Sequence, residues 1–128
     1  MNNIDNKLEE LKKSKFRNSF HLKYKDKLYI EKKGIEIIKK HAIDFINLKL
    51  SPANPLNDGK QTPYHGHPIF VAMHACGCCC RGCLEKWHQI PKGRALNQNE
   101  KKYILLLLLF WLKNEYKNIP NIDEKIAK

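Results

Sequence analysis

Apolar residues along this chain recur at helical rather than strand spacing. Over 3–13 (NIDNKLEELKK), Ile4, Leu8 and Leu11 stand four and three apart, which predicts a short amphipathic helix with a narrow apolar stripe. In the following SKFRNSFHL, Phe16, Phe20 and Leu22 are expected to dock on the main body. Residues 24–33 alternate loosely at Tyr24, Leu28 and Ile30, a weak strand signal. Lys32-Lys33-Gly34, however, makes a good helix C-terminus with cations beside the last carbonyls, so a short helix ending at Gly34 is expected. The clearest helix is 35–50 (IEIIKKHAIDFINLKL). There Ile35, Ile38, Ala42, Phe45, Ile46 and Leu50 form one apolar face opposite lysines, and Ser51-Pro52 ends it.

The next stretch, SPANPLNDGKQTPYHGHP, holds four prolines and two glycines in 18 residues and must be a loop. So long a loop in a small domain is usually functional or pinned by a metal. Leu84 to Ile90 reads as one or two helical turns closed by Pro91 and Gly93. Asn97 to Glu100 has the pattern of a capping box opening a helix that runs to about Asn118, before Pro120. From Ile104 to Leu112 that helix is apolar nearly all round. Such a helix is either wrapped by its own chain or shared with a second subunit. The second option is preferred, a homodimer through Leu105, Leu108, Leu109 and Leu112.

These elements define a mainly α fold with an irregular, zinc-organised central loop. It is read as one domain over 1–128, with an N-terminal arm at 1–22, the long helix at 97–118 and a tail at 119–128. At 128 residues the chain leaves little room for a cleft between lobes. The polar, mixed-charge start MNNIDNKLEELKK lacks the apolar core of a signal peptide, and the longest apolar run is half a bilayer crossing. A soluble, cytoplasmic protein is expected, with no membrane partner. The 24 Lys+Arg against 13 Asp+Glu give a net charge of +11, and only Arg17, Arg81 and Arg94 are arginines. Lysine-dominated charge suits attraction to a DNA or RNA backbone or an acidic protein more than base reading. It also fits ordinary lysine usage. Lys60, Arg81, Lys92 and Arg94 are the candidate contacts.

All five cysteines lie between Cys76 and Cys83. Clustered cysteines in such a chain suggest a metal rather than a disulfide scaffold. Cys80-Arg-Gly-Cys83 is a Cys-x-x-Cys knuckle, His88 follows five residues later, and His74 and His67 precede it. Two cysteines and two histidines satisfy a tetrahedral zinc site. The expected ligands are Cys80, Cys83, His88 and His74, with His67 and Cys79 in reserve. A redox pair normally opens a helix beneath a βαβ sheet, which is not predicted here, and an iron–sulfur cluster would be crowded. For a hydrolase, Glu85 and Asp58 are the nearby carboxylates, alongside His65, His67 and Asp58-Gly59-Lys60-Gln61. Neither completes a His-Glu-x-x-His or His-x-Glu pattern, and Asp58-Gly59 reads equally as a turn. Phe16, Tyr24, Tyr29, Tyr64 and Trp87 offer rings for bases, though interleaved aromatics are more often core.

NDGKQTP, GHPIFVAMHA and CCRGCLEKWHQIPKGRAL closely resemble the bacterial family known as domain of unknown function 4186. The resemblance runs from SKFRNSFHL through the helix at 103–117, and the string from His74 to Gly93 is its most specific part. The family pattern maps onto His74, Cys79, Cys80, Cys83 and His88. Cys76 and Cys78 stand where the family tends to have threonine, which argues against both as essential ligands. The resemblance further implies a link to type II CRISPR loci and antiviral defence, as small dimeric accessory factors that bind the RNA-guided nuclease and strengthen its DNA engagement. The expected function is therefore a non-enzymatic, zinc-stabilised basic accessory protein of a nucleoprotein complex. The alternatives are a free-standing zinc-dependent nucleic-acid-binding protein and a small zinc hydrolase.

Overall fold

The computed structural model describes residues 2–127, and within them the chain is helical without strands. Helix α1 (Asn2–Lys12) buries Ile4, Leu8 and Leu11, the stripe its spacing predicts. A 3-10 turn at Arg17–Ser19 leads to α2 (Tyr24–Lys33). Asp26 opens α2 by accepting the Lys23 N–H at 3.0 Å, and Gly34, at φ +84, closes it. Helix α3 (Ile35–Phe45) continues as a π turn through Leu50, where the Ser51 N–H reaches the Ile46 carbonyl at 2.8 Å. Its predicted face is buried at Ile35, Ile38, Ala42, Ile46 and Leu50, with Phe45 half-buried against the core.

Helix α4 (Pro68–Ala75) and helix α5 (Arg81–His88) flank the cysteine run, and α6 (Gln98–Glu115) crosses the centre. The capping box at Asn97 and Glu100 forms as expected, with reciprocal bonds of 2.8 and 3.0 Å. The helix packs against α1, α3, α4 and a short final helix, α7 (Ile122–Ala127).

Burial of α6 corrects the expected dimer interface. Leu108, Leu109 and Leu112 are fully enclosed by the chain itself, as are Ile104 and Leu107, and Leu105 is partly buried against the same core. Enclosing each of Leu108, Leu109 and Leu112 yields about 2–3 kcal/mol of transfer free energy, so these three are not free to bind a second copy. The apolar girdle is the domain's own centre. The expected N-terminal arm is likewise packed down, α1 on α6 and the 3-10 turn on α4, while part of the expected tail is α7, with Ile122 buried. Phe16 departs from the expected docking: Leu22 is buried and Phe20 half-buried, but Phe16 stays 52% exposed. No helix among the described residues is long and apolar enough to cross a membrane.

Candidate metal centre

The cysteines sit on a turn between two short helices, each stopped and started by specific contacts. Proline at the first position of α4 and His67 before it begin the helix, with His67 Nδ1 accepting the Ile69 N–H at 3.0 Å. Gly77, at φ +67, ends it: the Cys78 N–H returns to the Met73 carbonyl at 2.8 Å and the Gly77 N–H to that of His74. A Cβ on Gly77 would lie 2.9 Å from the Trp87 ring, so both backbone angle and space demand glycine. Helix α5 starts at once, its N-cap the Cys80 sulfur, which accepts the Cys83 N–H at 3.3 Å.

This turn gathers the sulfurs of Cys79, Cys80 and Cys83 within 4.8 Å of one another. Cys79 and Cys83 lie 3.5 Å apart. A Zn–S length of about 2.3 Å sets the sulfurs of a tetrahedral site about 3.8 Å apart, so the spacing fits a thiolate-bound metal. Cys79 and Cys80 are buried and Cys83 partly so. The long loop is tied to the cluster: Thr62 Oγ1 donates to the Cys79 carbonyl at 2.8 Å, and Asp58 accepts the Arg81 N–H at 2.9 Å.

A residue from the N-terminal segment completes the arrangement. Arg17, only 8% exposed, donates to Cys83 Sγ at 3.1 Å, to Cys79 Sγ at 3.7 Å and to the His74 carbonyl at 2.8 Å. The Cys83 thiol is driven far below its ordinary range by hydrogen bonds from Cys79 and Cys80 and then by the Arg17 guanidinium, against burial. Cys79 is pushed up by hydrogen bonding to Cys80 and Cys83 and by burial. Hydrogen bonding within the trio and the Arg17 guanidinium against two of its sulfurs both favour negative charge at Cys83.

The expected histidines lie around this trio, and none of their nitrogens joins it. His74 Nε2 donates to the carbonyls of Thr62 and Pro63 at 3.0 and 3.1 Å. Those partners fix the proton on Nε2 and leave Nδ1 with its lone pair. In His88 both nitrogens are occupied, Nε2 by the Cys76 carbonyl at 2.8 Å and Nδ1 by the Tyr103 hydroxyl at 2.7 Å. His67 spends Nδ1 on Ile69 and Nε2 on His41 at 2.9 Å. Burial, and then the neighbouring His41, lower its pKa to about 4. Cys76 and Cys78 are fully enclosed core thiols, and burial raises both pKa values.

The expected polyanion contacts divide sharply. Arg81 is 1% exposed and donates to the carbonyls of Leu50, Pro52 and Pro91 at 3.2, 2.9 and 2.7 Å, so it is a structural clamp and not a surface cation. Arg94 is paired with Glu100 at 2.6 Å. Lys60 and Lys92 are exposed, with no ion pair among the described residues. The two carboxylates considered for hydrolysis serve the backbone. Asp58 caps α5 and accepts from Gln61 at 2.9 Å, bonds that hold its carboxyl below its ordinary pKa despite partial burial; Glu85 accepts the Lys92 N–H at 3.2 Å. Sequence reasoning missed Arg17 and the capping role of Asp58, because both act across long separations.

Fold and site together define a small all-α protein built around a buried three-cysteine cluster that can hold a metal ion. The sequence matches the family described as Domain of unknown function (DUF4186) over residues 5–113, and the chain belongs to that family. No solved structure matches it.

Proposed function

We propose that the chain is a non-enzymatic, zinc-stabilised basic accessory protein that docks on a nucleoprotein complex. The observation that carries this reading is the clustering of Cys79, Cys80 and Cys83 with Arg17 against their sulfurs. Soft thiolates select zinc among the common divalent metals, and a bound zinc would tie α4, α5 and the long loop into one unit. His74 is the proposed fourth ligand; its nitrogens lie outside the 4.8 Å sulfur group, so its ring would move inward on metal binding. Its Nε2–H is held by backbone carbonyls, the outer contact that usually orients a metal-binding imidazole, and Nδ1 is left to bind. His88 and His67 have no nitrogen to spare. The engagement of Asp58 and Glu85 by backbone amides supports a structural rather than hydrolytic site.

The net charge of +11 supports a nucleic-acid-bearing partner. The family resemblance makes the RNA-guided nuclease of a type II CRISPR system the partner to test. A thiol redox role is the second reading, favoured by Cys80-Arg-Gly-Cys83 opening α5 with an acidic Cys83.

Elemental analysis of purified protein separates the two. Stoichiometric zinc, with unfolding at lower temperature after chelation, supports the metal reading. His74→Ala should weaken zinc binding and His88→Ala should leave its stoichiometry unchanged. Metal-free protein that cycles a disulfide between these cysteines would overturn it. Co-elution with a nuclease–guide RNA complex tests the docking; failure to co-elute would count against that part alone.

A further inference from the structure

An unpaired nucleic-acid strand asks two things of a protein: flat rings on which its bases stack and cations for its phosphates. Both occur next to the thiol cluster. Phe16 meets Phe20 edge-on at 5.2 Å between centroids. Phe20 and Tyr64 are parallel within 8° at 6.1 Å, and they stack on His74 at 5.3 and 4.3 Å. The outer two rings face solvent, Tyr64 60% exposed and Phe16 52%, whereas Tyr29 and Trp87 pack on the core.

The platform is anchored through its neighbours. His74 is fixed by its bonds to the Thr62 and Pro63 carbonyls, and Pro63 directly precedes Tyr64. Arg17, next to Phe16, is locked by the His74 carbonyl and the thiols. Part of the ordering cost is thus met before any ligand arrives. Lys13 and Lys15, on the turn leading into Phe16, are exposed and form no ion pair among the described residues. Glu115, a carboxylate of the same region, is occupied by the Leu22 N–H at 2.9 Å and by His21.

We propose that Phe16 and Tyr64, backed by Phe20 and His74, form a stacking platform for the bases of an unpaired nucleic-acid strand, with Lys13 and Lys15 meeting its phosphates. This deepens the proposed function by assigning its nucleic-acid-facing site, and it rests on the reading of the chain as nucleic-acid-associated. A duplex hides its base faces, so the platform prefers single strands. It is tolerant of sequence because every base has a π face.

The test is fluorescence anisotropy on the full chain as purified, with a labelled 15-nucleotide DNA strand, the RNA strand of the same sequence, and the DNA duplex, each at two salt concentrations. At least one single strand should bind more tightly than the duplex, and the DNA and RNA arms identify which. Tyr64→Ala and Phe16→Ala should each weaken single-strand binding roughly tenfold, Tyr64→Trp should retain it, and neither should alter the duplex. Lys13→Glu with Lys15→Glu should weaken binding and flatten its salt dependence. Duplex binding as tight as single-strand binding, or alanine variants with unchanged strand affinity, would overturn the platform. So would alanine variants that keep strand affinity yet lose capture of a nucleic-acid-free protein partner, which would make the patch a protein-docking surface. Zinc stoichiometry is read on the same samples: zinc-free protein with intact strand binding overturns the metal reading and leaves the platform standing.

Discussion

Replacing Arg17 by methionine keeps an apolar stem of similar reach and removes the guanidinium. The structure sets the size of the effect. Two short bonds are lost, to Cys83 Sγ at 3.1 Å and the His74 carbonyl at 2.8 Å, and the 3.7 Å approach to Cys79 is counted as nothing. Bonds involving a charged group contribute about 1.5–3 kcal/mol each, and escaping the desolvation of the guanidinium offsets part of the sum, leaving a cost of about 2–4 kcal/mol. The thiolates also lose their cation, and loss of an outer-shell partner typically lowers metal affinity about 10–100-fold. Competition of Arg17→Met and wild type against a chromogenic zinc chelator measures that factor, and denaturant unfolding with and without chelator measures the stability change. Arg17→Lys, which restores charge without the paired donors, should fall between them. Unchanged zinc affinity in Arg17→Met would show that the guanidinium does not support the metal. Equal stability losses with and without zinc would then show that the residue only tethers the 3-10 turn to α4.

Three further outcomes follow from the same geometry. Gly77→Ala should destabilise by about 2–4 kcal/mol, combining left-handed backbone strain with the 2.9 Å approach to Trp87; Gly93→Ala, also at positive φ but facing open space, should cost clearly less on thermal unfolding. Arg81→Met should cost about 2–4 kcal/mol by orphaning the carbonyls of Leu50, Pro52 and Pro91, while strand affinity stays unchanged because the guanidinium is buried. His67, with a folded pKa of about 4 against 6.5 unfolded, makes the unfolded state the first to take up a proton as pH falls. Its contribution is constant above pH 6.5 and drains away toward pH 4, by up to roughly 3 kcal/mol. Denaturant unfolding at pH 7.5 and 4.5 should show a smaller acid loss in His67→Asn, which keeps an N-cap acceptor without the titration.

Local features were legible in the sequence wherever the signal was itself local. Asn97 with Glu100, Gly34 after two lysines, and the face from Ile35 to Leu50 each place an element through neighbours a turn or two away. Helix α4 was missed because its residues are apolar on every side and offer no stripe; Pro68 at its start and Gly77 past its end were the available signals. The fate of α6 was a choice between two equal patterns, since sequence alone does not distinguish enclosure by one chain from enclosure by two. In the site, the cysteine knuckle was readable from spacing, but the partners that shape it were not. Arg17 stands 66 residues from Cys83 and Asp58 stands 23 from Arg81, and no periodicity links them. Arg81 shows the opposite error: a basic residue beside a glycine reads as surface charge until three carbonyls are found around it.

Zinc content across a panel of single cysteine-to-serine variants decides whether Cys79, Cys80 and Cys83 hold a zinc ion, with circular dichroism on each sample as the check of folding. One zinc per chain is expected in the wild type, in Cys76→Ser and in Cys78→Ser, and loss of zinc in Cys79→Ser, Cys80→Ser and Cys83→Ser. Wild-type protein without metal, or zinc that depends on Cys76 or Cys78 instead, would contradict it.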